Sequence, residues 1–219
     1  MTGSLVTARS AFRPAADGAF GYGMSSRLGQ QVVVDFYTAA VMLGKGFNIR
    51  HGTISVPEVG DVLITDAKAE ACVAAAAGTT VIPVNTNVSF NLAAATLFEA
   101  AGKSAAVATM SGGTAFIPLP LRTLGVDGGT AGAAASTAMV GSAGGVTVAA
   151  ELATTTRRHW SWSQPIAAGA WPTWYDWQPR TPPVLVGAAE YYVQVAGDTT
   201  GPSYFLSLEF LEFQSSDIV

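Results

Sequence analysis

Charge is what this sequence has least of. Only 12% of its 219 residues are Asp, Glu, Lys or Arg, about half the share found in ordinary soluble domains. The formal net charge is -4, and no cluster of Lys and Arg is present to displace the counterions of a phosphate backbone. Nucleic acid is therefore not expected as a direct partner. Cysteine occurs once, as Cys72, which rules out an internal disulfide and any cysteine-based zinc site. Set in an alanine run, Cys72 reads as a small buried residue. The two histidines, His51 and His159, lie far apart and have no partner at metal-ligand spacing. Each is expected to be a satisfied strand residue, so no metal is expected. Stretches 71–98, 104–121 and 128–150 lack charge, but proline, asparagine and glycine interrupt them. None reads as a membrane-crossing helix, and the first residues lack the basic-then-apolar pattern of a signal peptide.

Catalytic constellations are missing as well. Gly21 and Gly23 lack the third glycine and following helix of a dinucleotide site. Gly141-Ser142-Ala143-Gly144 is one position away from a nucleophile elbow and reads as flexible loop. Glu209 and Glu212 fall on opposite faces of a strand, so they do not share a site. The sequon Asn87-Val88-Ser89 matters only in a secretory chain. The expectation is a protein without enzymatic activity or cofactor.

What the sequence does contain is small residues and alternation. Hydrophobic residues reach 49%, much of it alanine among glycine, serine and threonine. Such a surface suits a protein covered by its neighbours in an assembly; the alternative is a secreted domain with a Ser/Thr/Gly surface. Residues 188–213 read as a closing β-hairpin, with aromatic and β-branched runs either side of Gly197-Asp198-Thr199-Thr200-Gly201-Pro202. Tyr204, Leu206, Leu208 and Phe210 form one face, directed to a core. Phe205, Ser207, Glu209, Leu211 and Phe213 form the other, suited to a rim, a solvent surface or a subunit contact.

Residues 1–29 read as an extended arm whose aromatics, Phe12, Phe20 and Tyr22, dock on something. Residues 30–219 read as one domain. Within 30–43 a strand-like run passes into a short helix ended by Gly44, with Phe36, Ala39, Ala40 and Leu43 on one helix face. Strands are expected at 47–56, 62–64, 79–84, 86–98 and 145–152, with 104–110 paired to 114–120 and a turn at 57–61. A helical excursion is expected at 67–77, a long loop or thin strands at 125–145, and an irregular Trp/Pro loop at 166–181. Pro83 should lie at an edge or a strand end, because it cannot donate to a ladder. Roughly eight to ten short strands with turns between them indicate an all-β antiparallel sandwich or barrel with at most one or two short helices.

Every tryptophan falls in one segment: Trp160, Trp162, Trp171, Trp174 and Trp177, with Tyr175 among them. Trp160 and Trp162 share a strand face. Three readings stand for this group: packing in the core or over the sandwich end, a subunit interface, or an aromatic platform for a glycan.

The run from Pro182-Pro183-Val184-Leu185-Val186 through Glu190-Tyr191-Tyr192-Val193-Gln194-Val195, Gly201-Pro202-Ser203-Tyr204 and Leu206-Ser207-Leu208-Glu209 resembles the closing strands of jelly-roll virion proteins of bacterial and environmental viruses. Val32-Val33-Val34-Asp35-Phe36 through Gly52-Thr53 has the same look. The resemblance covers about a third of the chain, and its motifs are general features of β-sandwiches. It implies a jelly-roll-like sandwich serving as a non-enzymatic capsid, decoration or spike subunit. Such a subunit is a trimer or larger homo-oligomer in contact with other virion proteins, is assembled in the host cytoplasm, and has an arm reaching a neighbour. The alternative function is a carbohydrate- or receptor-binding module using the Trp-rich loop 160–177.

Overall fold

The computed structural model describes residues 24–25, 31–32, 35–90, 97–122, 134–151, 155–165, 173–198 and 201–217. Phe12, Phe20, Tyr22 and Trp171 lie outside them.

A small antiparallel ribbon, β1 (Met24–Ser25) with β2 (Gln31–Val32), comes first. Helix α1 (Phe36–Met42) begins where the Asp35 carboxylate accepts the Thr38 N–H at 2.9 Å and stops where Gly44 takes a φ of 73°. Strands β3 (Gly46–His51), β4 (Glu58–Val59), β5 (Lys68–Ala69), β6 (Ala71–Ala74), β7 (Thr79–Phe90) and β8 (Leu97–Ala105) follow. An insertion over 106–155 carries four short strands: β9 (Thr114–Phe116), β10 (Leu119–Pro120), β11 (Thr137–Val140) and β12 (Val146–Thr147). The chain then forms β13 (Thr156–Pro165), β14 (Thr173–Trp177), β15 (Leu185–Val186), β16 (Glu190–Ala196) and β17 (Ser203–Gln214).

The result is the expected all-β antiparallel sandwich. Among the described residues, the first sheet runs β10-β3-β17-β7-β14, with β15 also on β7 and β4 also on β17. The second runs β13-β8-β16-β6-β11-β9. One core fills the space between them: Ile49, Val88, Tyr204, Leu206, Leu208 and Phe210 from the first sheet meet Val73, Ala100, Tyr191, Val193 and Val195 from the second. Tyr204, Leu206, Leu208 and Phe210 are at most 2% exposed, as their alternation foretold. Burying each large apolar side chain contributes about 1.5–3 kcal/mol. Two smaller clusters lie on the outer faces. Ala40, Tyr37 and Val41 of α1 cover Ile82, Val84, Leu211 and Phe213 on the first sheet. Val146, Val148 and Ala149, with Ala69 of the β5-β12 ribbon, cover Cys72, Ala105 and Tyr192 on the second. No helix among the described residues is long and apolar enough to cross a membrane.

Several expectations are corrected. The closing segment is not a hairpin: β16 pairs with β6 and β8, while β17 pairs with β3 and β7. Residues 197–202 are long enough to cross the roughly 10 Å between packed sheets, and β16 is buried at every position, the environment of an interior strand. The 67–77 helix is replaced by β5 and β6. Alanine favours helix in isolation, but Ala71 and Val73 enter the main core while Cys72 enters the outer cluster, a two-sided burial that suits a strand between two others. Residues 79–90 form one strand. Pro83 sits inside it at an irregularity, where the register jumps between Glu209↔Asn85 and Phe210↔Pro83. On the other side, β15 ends at Val81 and β14 begins at Thr86, so no ladder partner asks Pro83 for a donor.

The strand expected at 62–64 is a bend that leaves Leu63 55% exposed. The one expected at 47–56 stops at His51, because Gly52 turns with a φ of 72°. Residues 57–61 include the short β4 on β17. β9 pairs with β11, not with 104–110; the 145–152 strand shrinks to β12; and 166–181 contains β14. On α1, Phe36 stacks on Phe213 with ring centroids 5.7 Å apart and Ala39 and Ala40 are buried, as expected, while Tyr37 and Val41 also pack on the sheet and Leu43 is 37% exposed.

Candidate functional site

The aromatic segment divides by strand parity. On β13, Trp160 and Trp162 point inward; on β14, Tyr175 and Trp177 do, and Trp174 and Asp176 point outward. The inward rings bridge the two sheets. Trp160 lies 5.1 Å from Tyr175 and 6.2 Å from Trp177 between ring centroids, and Trp162 lies 5.7 Å from Tyr175. Trp162 stacks on Phe90, which stacks on Phe98 at 4.4 Å. The Trp160 indole N–H donates to the Tyr191 hydroxyl at 2.8 Å, so its polar edge is satisfied inside the core. Gly102 makes this possible, since a Cβ there would sit 2.0 Å from Trp160 Nε1. The ladder accommodates the ring with a bulge at His159, between Arg158↔Lys103 and Trp160↔Gly102. Trp174 alone of the described tryptophans is well exposed, at 69%.

The histidines have structural partners. His51 Nδ1 lies 2.6 Å from the Tyr204 hydroxyl, and burial lowers its pKa against a weaker pull from Glu58. His159 Nε2 lies 2.8 Å from Ser104 Oγ; burial and then Arg157 lower its pKa. No group of three or more potential ligands converges on a metal position among the described residues.

Trp174 belongs to a face that sequence reasoning did not assemble. The part of the first sheet's outer surface beyond α1 is built in rows across the strands. One row is Trp174, Ser89 and Phe205; the next is Asp176, Asn87, Ser207 and Arg50. Ser89 Oγ donates to Asn87 Oδ1 at 3.0 Å, and Asn48 Nδ2 donates to Ser207 Oγ at 2.8 Å. Below them, Glu209 accepts the Tyr37 hydroxyl at 3.0 Å. Period-two alternation in residues 173–177 was the available signal; the cross-strand register was not in the sequence.

The outer face of the second sheet carries a cavity of about 480 Å³ lined by Ile64, Glu99, Ala101, Lys103, Arg158 and Ser161, among others. Its two cations are already paired. Buried Lys103 donates to Glu151 at 2.5 Å, and Arg158 reaches the same carboxylate at 3.1 Å, which holds Glu151 below its ordinary pKa through the Lys103 hydrogen bond first.

Three buried glutamates were also missed. Glu190 accepts N–H bonds from Thr109 and Ala149, and Glu212 from Ala135 and Ser136, all at 2.7–2.8 Å. Glu70 accepts from Gly144 at 3.0 Å and Val195 at 2.6 Å. Five of these six donors belong to the 106–155 insertion. The signal was a lone acid inside an apolar run, such as Leu211-Glu212-Phe213. No protein-family model matches the chain, and no curated protein matches it in sequence.

Proposed function

We propose that the protein is a structural subunit of a virus particle, a capsid or capsid-decorating protein built on a jelly roll. The observation that carries this reading is the nesting of the long strands. Taken in chain order as β3, β6, β7, β8, β13, β14, β16 and β17, they pair first with eighth, second with seventh, third with sixth and fourth with fifth. That is the order a long antiparallel hairpin acquires when it wraps into two facing sheets. Many unrelated functions use such a fold, so the assembly part of the reading rests on surface chemistry. The turn at 53–56 is closed by Thr53 N–H to Val56 O at 2.8 Å, yet it holds Ile54 and Val56 79% and 65% exposed. Ile117, on the insertion, is 80% exposed. Ordered apolar projections on a low-charge surface fit contacts with copies of the chain and with other virion proteins, where their burial supplies association energy. The particle would assemble in the host cytoplasm.

The test is native mass by light scattering over a range of concentrations. A trimer or larger assembly is expected, reduced to monomer by Ile54→Asp with Ile117→Asp. A wild-type monomer at the highest concentration reached would overturn the proposal.

A further inference from the structure

We infer that the half of the first sheet's outer face left open by α1 and the other described residues is a binding platform for a neutral glycan. Helix α1 covers one half of this face through Ala40, Tyr37 and Val41. The other half presents the two side-chain rows built on β14, β7, β17 and β3. Neighbouring strands are about 4.8 Å apart, so Trp174 and Phe205, two strands apart in one row, stand roughly 10 Å from each other. That span matches two consecutive sugar rings, with an aromatic surface at either end and Ser89 between. The second row lies about 7 Å along the strands and brings Asp176, Asn87, Ser207 and Arg50 beside the same rings.

The chemistry of these rows selects the ligand class. A pyranose has a face of C–H groups, which rests on an aromatic ring, and a rim of hydroxyls that both donate and accept. Asn87 and Ser207 can do both as well. Asn87 Oδ1 is occupied by Ser89, and its Nδ2 finds no partner among the described residues. Ser207 Oγ accepts from Asn48, so its own proton remains to be donated. One acid and one base flank the row: Asp176 accepts from Gln178 at 2.9 Å, and Arg50 is exposed and makes no ion pair with a described residue. The formal charges cancel, so neither a phosphate chain nor a polycation is favoured. A solvated sheet face would instead carry scattered lysines and glutamates. Here the largest exposed side chain is a tryptophan, 69% accessible.

The full chain is screened on an array of immobilised neutral and acidic oligosaccharides, and the strongest neutral responder is titrated in solution by tryptophan fluorescence. Binding should be weakened at least about tenfold by Trp174→Ala and several-fold by Asn87→Ala. It should be unaltered by Leu63→Ser, in the exposed bend off the face, and nearly independent of salt. Both face variants should keep the wild-type denaturation midpoint, which shows that any loss is local. The inference is overturned if no neutral sugar binds, if Trp174→Ala binds as well as the wild type, or if binding collapses with salt. It is also overturned if Trp174→Ala lowers the native mass, because the face then belongs to a contact between copies. Native mass of the wild-type chain tests the assembly reading separately, so either proposal can fail without the other.

Discussion

Where β13 faces β14, the gap between the two sheets is filled by rings: Trp160, Trp162, Tyr175 and Trp177, backed by Phe90, Phe98 and Tyr191. Around the opposite side, where β10 flanks β3 and β11 flanks β6, the chain of the 106–155 insertion does the closing. It has few side chains with which to do so. Its sequence is largely alanine, glycine, serine and threonine, which bury little apolar area. The main chain is what such a segment has to offer, and Glu70, Glu190 and Glu212 take hold of it by its N–H groups. Rings close one flank by area; carboxyl groups close the other by direction. An apolar wedge gains from any ring that fits the space, whereas a carboxyl group holding two amides fixes where those residues lie.

The contrast can be broken at either side, and the largest effect is expected among the rings. Trp160→Ala should cost about 3–5 kcal/mol in denaturant unfolding, because it empties the space over Gly102 and leaves the Tyr191 hydroxyl without its donor. Glu190→Ala should cost about 3 kcal/mol, from two amides left without acceptors. Amide hydrogen exchange distinguishes the two changes. The glutamate variant should speed exchange at Thr109 and Ala149 in the insertion, while the tryptophan variant should loosen the whole sandwich.

Acidity sharpens the comparison next. Burial pushes the Glu70 carboxyl up to about 8 from 4.5, against the opposing pull of the Val195 and Gly144 amides. Between those values the native chain holds a proton that the unfolded chain has released. The stability from this group is therefore full below about pH 4.5 and is lost as pH rises towards 8. Glu70→Gln should flatten that decline, which is on the order of 1 kcal/mol per pH unit, in denaturation curves recorded across the window. On the ring side His159, whose pKa burial lowers from 6.5, gives a slope of the opposite sign, its contribution being lost as pH falls below that value. The smallest change is Trp174→Ala, expected within about 0.5 kcal/mol of the wild type, because this ring takes no part in closing the gap.

Much of this was readable from the residues. Alternation placed Tyr204, Leu206, Leu208 and Phe210 on the core, and Gly44 marked the end of α1. Strand partnership was not readable. The patterns of 190–196 and 203–214 fit a hairpin as well as they fit two strands in opposite sheets, since period-two alternation says which way a side chain points and not what lies beside it. Ala71 to Ala74 misled because intrinsic helix preference is weaker than burial on both faces. The tryptophans showed that rings were gathered, while the division between Trp174 and its neighbours depended on β14 being a strand. The acids were passed over because an isolated glutamate has no partner type in sequence when its partners are amides.

The nested pairing bears on how the chain reaches its native state. Each outer pair encloses the pair within it: β3 and β17 can meet only across everything between, whereas β8 and β13 are separated by the insertion alone. The contact order is accordingly high, and loop closure must be met before most ladders form. Refolding is expected to be slow for a chain of this size, and no stable early hairpin can come from β16 and β17, which follow each other in sequence but lie in opposite sheets. During synthesis, β3 remains without its main neighbour until β17 has emerged, so the first sheet is completed only when almost the whole described chain has been made.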